Sequence, residues 1–184
     1  MMPLQEKNIL IIMPKNQFEE QELFGLRQAL EPTGARTVVV SKSGQAATGM
    51  NRERYTPDGT IIDWNKQEGI FGKYHAVIVI GGKGAAKSLW DDPIVPQILV
   101  DHYRAGSVIA AIGAGIVVLA RASLLNGRCA SPDLDLAIAE LDRLGIYCEE
   151  EDVIADDRIV TARDGSAASS LVKSIVELCQ NTPT

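Results

Sequence analysis

The sequence predicts one α/β domain over residues 1–184, flavodoxin-like and doubly wound, with a mostly parallel sheet covered by helices on both faces. Short apolar runs alternate with helical patterns along the whole chain. The apolar runs are aliphatic at consecutive positions, as expected of parallel strands that are buried on both faces. This alternation is typical of a doubly wound sheet, and the length suits a single core.

Five strands and five helices account for the pattern. The strands are predicted at residues 9–13, 37–41, 76–80, 108–112 and 159–161, and the helices at residues 19–30, 93–105, 114–122, 134–144 and 166–178. Pro93 is expected in the first turn of its helix, where a missing N–H costs nothing. Gly34, Gly106 and Gly145 are expected at left-handed helix ends. Residues 44–71 are rich in Gly, Thr, Asn and charge, which indicates short strands and loops.

Composition and charge narrow the classes of partner. The formal net charge is -6 and the sequence pI is about 5.0, so the surface repels phosphate backbones and no nucleic acid is expected. No apolar run approaches the roughly 18 residues of a membrane span, so no membrane association is expected. The three cysteines, Cys129, Cys148 and Cys179, form no CxxC pair. This spacing predicts reduced thiols, a cytoplasmic location, and neither a disulfide framework nor a metal site.

A glycine-containing loop follows the third predicted strand, at the edge where open α/β sheets bind ligands. Residues 81–88 read GGKGAAKS and nearly match the phosphate-binding pattern GxxxxGK(S/T), but Ala86 replaces its second glycine. We therefore expect a loop whose backbone N–H groups face a cleft, suited to an oxyanion rather than to a triphosphate.

The fourth predicted strand ends in a sharp strand-to-helix elbow at Ile112-Gly113-Ala114. Such an elbow strains the residue at the turn and holds it above the helix N-terminus, where a serine or cysteine becomes an activated nucleophile. Gly113 reaches a positive φ without penalty but has no nucleophilic group. An ordinary turn that uses glycine for its backbone freedom is the alternative interpretation.

A carboxylate lies on the apolar face of the first predicted helix. Glu22 falls within an apolar stripe spaced at about 100° per residue. The other members of the stripe are Phe18, Leu23, Leu26, Ala29 and Leu30. A buried carboxylate requires hydrogen bonds or a raised pKa, and such acids are enriched at functional sites. Glu22 is therefore a candidate site residue, unless it lies at the edge of the stripe and reaches water.

Seven segments carry a resemblance to a known family through their order and spacing. They are NILIIM at 8–13, FEEQEL at 18–23, TPDG at 56–59, YHAVIVIGG at 74–82, AAIGAG at 110–115, LLNGR at 124–128 and DRIVTAR at 157–163. Together they resemble the ThiJ/PfpI superfamily, which includes the Parkinsonism-associated deglycase relatives, within the class I glutamine-amidotransferase-like fold. The likeness covers nearly the whole chain.

This resemblance implies a site. In the family, the position matching Gly113 is usually a cysteine of low pKa, and the acid matching Glu22 hydrogen-bonds its sulfur. Backbone N–H groups at the positions matching Gly82 and Ala114 form an oxyanion hole. By this resemblance the chain keeps the acid and the oxyanion hole, and glycine replaces the nucleophile.

The family's histidine is missing as well. It either follows the cysteine directly, where this chain has Ala114, or lies in a later loop. There the ungapped match is Asp133, and a shifted alignment gives Ser131. The two histidines of the chain, His75 before a strand and His102 on a helix, are expected to be surface or boundary residues.

The family's activities share covalent thiol chemistry, which a glycine cannot perform. The leading hypothesis is a pseudoenzyme or catalytically altered protein, without a cofactor, that binds a small-molecule or anionic ligand, or a protein partner, in the retained cleft. One alternative is a cysteine-independent hydrolase, lyase or hydratase in which Glu22 and Asp133 activate water. Others are a variant of a thiol-dependent amidase, deglycase or protease-like enzyme, and an enzyme that uses Cys129 as its thiol. The resemblance also implies a homodimer or larger homo-oligomer.

Overall fold

A seven-stranded sheet forms the centre of the protein, which a computed structural model describes over residues 2–181. The strands are β1 (Asn8–Ile12), β2 (Arg36–Ser41), β3 (Ala47–Thr48), β4 (Arg54–Tyr55), β5 (Gly59–Thr60), β6 (Ala76–Val79), β7 (Val108–Ile112), β8 (Val153–Asp156) and β9 (Ile159–Ala162). The sheet order is β5-β2-β1-β6-β7-β9-β8, in which only the β8–β9 pair is antiparallel. A separate antiparallel hairpin consists of β3 and β4.

Helices cover both faces of this sheet. They are α1 (Glu20–Leu30), α2 (Ala85–Ser88), α3 (Val95–Arg104), α4 (Ile116–Arg121), α5 (Asp135–Arg143) and α6 (Ala168–Asn181). One core layer lies between the sheet and α1 with α6, and the other lies between the sheet and α3, α4 and α5. Neighbouring residues of β1 enter opposite layers, as Ile9 and Leu10 do, and this explains why the strand is aliphatic at consecutive positions.

The predicted fold class is confirmed, and each of the five predicted strands is present to within one residue at each end. Gly34, Gly106 and Gly145 have the expected positive φ values. The chain from 44 to 71 holds β3, β4, β5 and a single 3-10 turn. The antiparallel edge strand β8 and the short helix α2 were not predicted.

Two predictions were wrong. Pro93 precedes its helix, which begins at Val95, because Asp92 Oδ1 accepts hydrogen bonds from the N–H groups of Ile94 and Val95 at 2.8 and 3.0 Å. His102 is fully buried rather than at the surface, since the rings of Trp64 and Tyr74 pack against it at centroid distances of 5.0 and 6.0 Å.

A buried carboxylate joins the β3–β4 hairpin to α1. Glu20, 5% exposed, accepts hydrogen bonds on Oε2 from the N–H groups of Asn51 and Glu53 at 2.6 and 3.2 Å. Both donors belong to the turn of the hairpin.

Among the helices of residues 2–181, none has the length and apolar character that crossing a membrane requires.

Candidate functional site

Loops that follow the parallel strands meet at the carboxyl edge of the sheet. The N–H of Glu19, in the loop after β1, donates to the carbonyl of Gly81, in the loop after β6, at 3.1 Å. A β-carbon in ideal geometry on Gly81 would lie 2.7 Å from the amide nitrogen of Ala114, which follows β7. This edge is where open α/β sheets bind ligands.

Close backbone contacts hold these loops together. An ideal β-carbon on Gly82 would stand 2.4 Å from a backbone atom of Gln17, and one on Gly84 would stand 1.6 Å from a backbone atom of Asn16. The corresponding distances are 2.5 Å from Gly115 to Val79 and 2.6 Å from Gly165 to Gln21. Real β-carbons do not tolerate such approaches without movement of the backbone. The loops at this edge therefore pack main chain against main chain.

Glu22 lies in the first turn of α1, and only 3% of it is exposed. Its Oε1 atom accepts a hydrogen bond from the N–H of Gly81 at 2.8 Å. The apolar stripe that carries Glu22 also carries Leu23 and Leu26, which enter the core layer beneath α1. The helical periodicity thus turns this carboxyl inward, and the loop after β6 supplies its partner.

Gly113 forms the elbow between β7 and the 3-10 turn Gly113–Gly115. Its φ is +56°, a left-handed conformation that L side chains rarely adopt. An ideal β-carbon on Gly113 would lie 2.7 Å from Oε2 of Glu22. The free oxygen of the Glu22 carboxyl therefore occupies the space beside the elbow.

The surroundings of Glu22 favour its protonated form. Burial raises the pKa of Glu22 well above its ordinary value of 4.5, and the hydrogen bond from Gly81 opposes this rise without cancelling it. The negative charges of Glu19, Asp133 and Asp164 raise the pKa further. A protonated Glu22 has an O–H donor in addition to the acceptor that Gly81 uses.

Asp133 is exposed, and its charge acts on Glu22. Partial desolvation and the charge of Asp164 raise the pKa of Asp133, whereas Arg163 lowers it.

Ser131, the alternative in the sequence alignment, lines a different pocket together with Cys148. Asp164 was not predicted as a site residue, although its position two residues after β9 places it at the same edge of the sheet. No group of three or more His, Cys, Asp or Glu side chains within residues 2–181 has an arrangement that holds a metal ion.

Gly82 and Ala114 flank the contact between the two glycine loops. Gly82 has φ +108° and packs against the backbone of Gln17 and Glu19. The carbonyl of Ala114 accepts a hydrogen bond from the buried indole Nε1 of Trp90 at 3.0 Å. In the described part of the chain, the N–H group of Gly82 has no hydrogen-bond acceptor.

Cys129 lies in the other core layer, between the sheet and α3, α4 and α5. It is fully buried, and its sulfur lies 3.5 Å from that of Cys148. Glu22 belongs to the helix that covers the opposite face of the sheet. The structure therefore gives Cys129 a thiol partner and does not bring it into contact with Glu22.

The fold defines a flavodoxin-like α/β protein of the glutamine-amidotransferase-like type. The chain belongs to the DJ-1/PfpI family, whose model matches residues 7–178. An uncharacterized protein of Methanocaldococcus jannaschii is 32% identical over 161 residues, 85% of this chain and 74% of that protein. The glutathione-independent glyoxalase DJR-1.2 of Caenorhabditis elegans is 24% identical over 94% of this chain and 88% of its own length.

Solved structures support the same fold. The crystal structure of a ThiJ/PfpI domain protein from Brachyspira murdochii superposes with a TM-score of 0.83 at 23% identity. The superposition covers 96% of this chain and 98% of that one. Drosophila melanogaster DJ-1beta superposes with a TM-score of 0.76 at 22% identity, over 95% and 91% of the two chains.

Proposed function

We propose that this DJ-1/PfpI protein binds a small, uncharged carbonyl compound without covalent catalysis, in the cleft beside Glu22 and Gly113. In this proposal Gly113 stands at the family's nucleophile position, so no thiol is present to attack the ligand. The state of the Glu22 carboxyl carries the proposal. This carboxyl is buried, its pKa is raised, and its Oε2 atom lies beside the elbow at Gly113.

The proposed site offers hydrogen-bond donors to a ligand. In this proposal Glu22 is protonated and donates from its carboxyl group, as its raised pKa favours, and the backbone N–H groups of Gly82 and Ala114 donate as well. The N–H group of Gly82 has no acceptor within residues 2–181. Hydrogen-bond donors match a ligand that carries an acceptor, and a carbonyl oxygen accepts two hydrogen bonds. An aldehyde, ketone or amide therefore matches the chemistry of this site.

Charge around the cleft favours a neutral ligand over an anion. The carboxylates of Glu19, Asp133 and Asp164 all act on Glu22, and their negative field also repels a bound carboxylate or phosphate. Desolvation adds to that repulsion, because a buried anion loses its hydration. Uncharged carbonyl compounds avoid both costs.

Acetamide, an unreactive carbonyl compound, and acetate, its anionic counterpart, test this proposal by NMR titration. We expect acetamide to shift the amide signals of Gly82 and Ala114 saturably, and acetate to shift them much less at neutral pH. Glu22→Ala should abolish the acetamide shifts, whereas Glu31→Gln should keep them, because Glu31 is exposed at the opposite end of α1. Equal shifts with both probes, or none with acetamide, would contradict the proposal.

A general acid–base enzyme is the second candidate. It is favoured by the electrostatic coupling between Glu22 and Asp133, because neighbouring carboxyls with raised pKa values can act as acid and base. The relative DJR-1.2, a glutathione-independent glyoxalase, suggests an α-oxoaldehyde as substrate. Turnover of methylglyoxal that disappears in both Glu22→Gln and Asp133→Asn would establish this candidate and overturn the non-catalytic proposal.

A further inference from the structure

Two cysteines lie together on the side of the sheet that the candidate site does not use. Cys129 is fully buried, whereas Cys148 is half-buried and lines a surface pocket of about 420 Å³. Ser131, Asp142, Tyr147 and Glu150 line the same pocket. One thiol of the pair is thus open to small molecules, and the other lies behind it.

The backbone around the two cysteines has the geometry that a disulfide requires. Ala130 and Glu149 form a parallel bridge, in which Glu149 N–H donates to the Cys129 carbonyl at 2.9 Å and Ser131 N–H donates to the Glu149 carbonyl at 2.8 Å. Cys129 and Cys148 each precede a residue of this bridge, so they are opposite each other in register. Paired strands run about 4.8 Å apart, within the Cα separation of about 4.4–6.8 Å found in disulfides.

The two thiols have different roles available to them. The Cys129 thiol donates a hydrogen bond to the Cys148 sulfur at 3.5 Å. This bond lowers the pKa of Cys148 and raises that of Cys129, which burial raises further. Since the thiolate is the nucleophile, Cys148 is the attacking sulfur and Cys129 the resolving one.

We propose that Cys148 and Cys129 form a dithiol modification site that a peroxide oxidises to an intramolecular disulfide. A neutral peroxide suits the pocket better than an anionic disulfide such as oxidised glutathione, because the acidic residues Asp142 and Glu150 line it. This site is independent of the cleft at Glu22.

The reaction balances with hydrogen peroxide as the only oxidant. The Cys148 thiolate attacks one peroxide oxygen, the O–O bond breaks, and the departing hydroxide takes a proton to become water. The Cys129 sulfur then attacks the sulfenic acid sulfur of Cys148. The S–S bond forms as the S–O bond breaks, and the leaving hydroxide takes the Cys129 proton as a second water. Two thiols are oxidised by two electrons, and one peroxide is reduced to two waters.

Peptide mapping of the reduced, full-length protein after hydrogen peroxide treatment tests this proposal directly. We expect a cross-linked peptide that joins Cys129 to Cys148 and a mass lower by two hydrogen atoms. Cys179 should remain unoxidised, because it is partly buried, has a raised pKa and lies outside the Cys129–Cys148 pair. Oxidised glutathione at the same concentration should form the link more slowly.

Variants separate the two roles. Cys129→Ser should stop the reaction at a Cys148 sulfenic acid that dimedone traps, whereas Cys148→Ser should leave Cys129 reduced. Cys179→Ser, the matched control, should form the link at the wild-type rate. Three results for the wild-type protein would each overturn the proposal: Cys148 recovered as sulfinic acid, Cys179 oxidised as fast as Cys148, or all three thiols intact. The peptide map of the wild-type protein decides these outcomes even if a variant fails to fold.

Discussion

The Oε2 atom of Glu22 lies 2.7 Å from the point where a β-carbon on Gly113 would stand. The acid and any side chain at residue 113 therefore compete for one volume. The competing group is the end of a flexible side chain, so Glu22 can move, but movement withdraws its carboxyl from the N–H of Gly81. Glycine at this elbow leaves that hydrogen bond intact.

A β-carbon at residue 113 should cost more than backbone strain alone. We expect Gly113→Ala to lower the free energy of unfolding by more than the roughly 1–2 kcal/mol that a left-handed conformation costs an L residue. Gly145→Ala is the matched control, because Gly145 has φ +74° but, apart from its own chain neighbours, no atom of residues 2–181 lies within 4 Å of its β-carbon position. Urea unfolding of both variants measures the difference, and equal losses would contradict steric competition with Glu22.

The raised pKa of Glu22 makes stability depend on pH. The folded protein holds this proton more tightly than the unfolded chain, whose carboxyl titrates near 4.5. The resulting stability is complete below that pH and is lost as pH rises through the folded pKa. As pH rises from 4.5 through the folded pKa of Glu22, we expect the free energy of unfolding to fall in the wild-type protein and to stay unchanged by this titration in Glu22→Gln. Urea unfolding at a series of pH values tests this, and parallel profiles for the two proteins would be the contrary result.

His102 should weaken the fold at acidic pH. Burial lowers the pKa of His102 below 6.5, and its Nε2 has no hydrogen-bond partner in residues 2–181. The neutral ring therefore contributes stability that is present above 6.5 and is lost as pH falls through the lower, folded pKa.

We expect the free energy of unfolding to fall less steeply in His102→Phe than in wild type between about pH 7 and about pH 5. The variant also loses the contact of Nδ1 with the Ile98 carbonyl, so its stability near neutral pH is lower and only the slopes are compared. Identical slopes would show that His102 does not titrate on unfolding.

Glu20 should control the order of the β3–β4 hairpin. Its Oε2 accepts two backbone hydrogen bonds from the turn, at Asn51 and Glu53, and bonds to a charged acceptor contribute about 1.5–3 kcal/mol. We expect Glu20→Ala to speed amide hydrogen exchange at both residues by about tenfold or more, with α6 unchanged. Glu20→Gln, which keeps an acceptor oxygen, should show a smaller effect. Uniform acceleration across the protein would instead indicate global destabilisation.

Local periodicity predicted much of the fold and one central residue of the site. The five aliphatic strands are visible in the sequence because both of their faces are buried, and Glu22 stands out because it interrupts an apolar stripe. Gly113 was recognisable from the apolar strand that stops there. Its contact with Glu22 joins residues far apart in sequence, so it required the three-dimensional structure.

The features that escaped prediction depend on contacts between distant segments. Glu20 is buried by a hairpin about thirty residues further along the chain, and His102 by the rings of Trp64 and Tyr74. Cys129 and Cys148 are brought together by an isolated bridge that has no sequence signature. In each case the local pattern around the residue is that of an ordinary surface or core position.

Main-chain contacts at Gly82, Gly84, Gly115 and Gly165 hold the loops at the carboxyl edge of the sheet in place. The backbone of these loops and the carboxylates that act on Glu22 can therefore change separately during evolution. Substitutions at Glu19, Asp133 or Asp164 would alter the charge at the proposed ligand site while leaving the loops in place. A β-carbon at any of the four glycines would move the backbone itself. One scaffold can in this way pass through a series of ligand specificities, with divergence concentrated in a few carboxylates and resisted at the glycines.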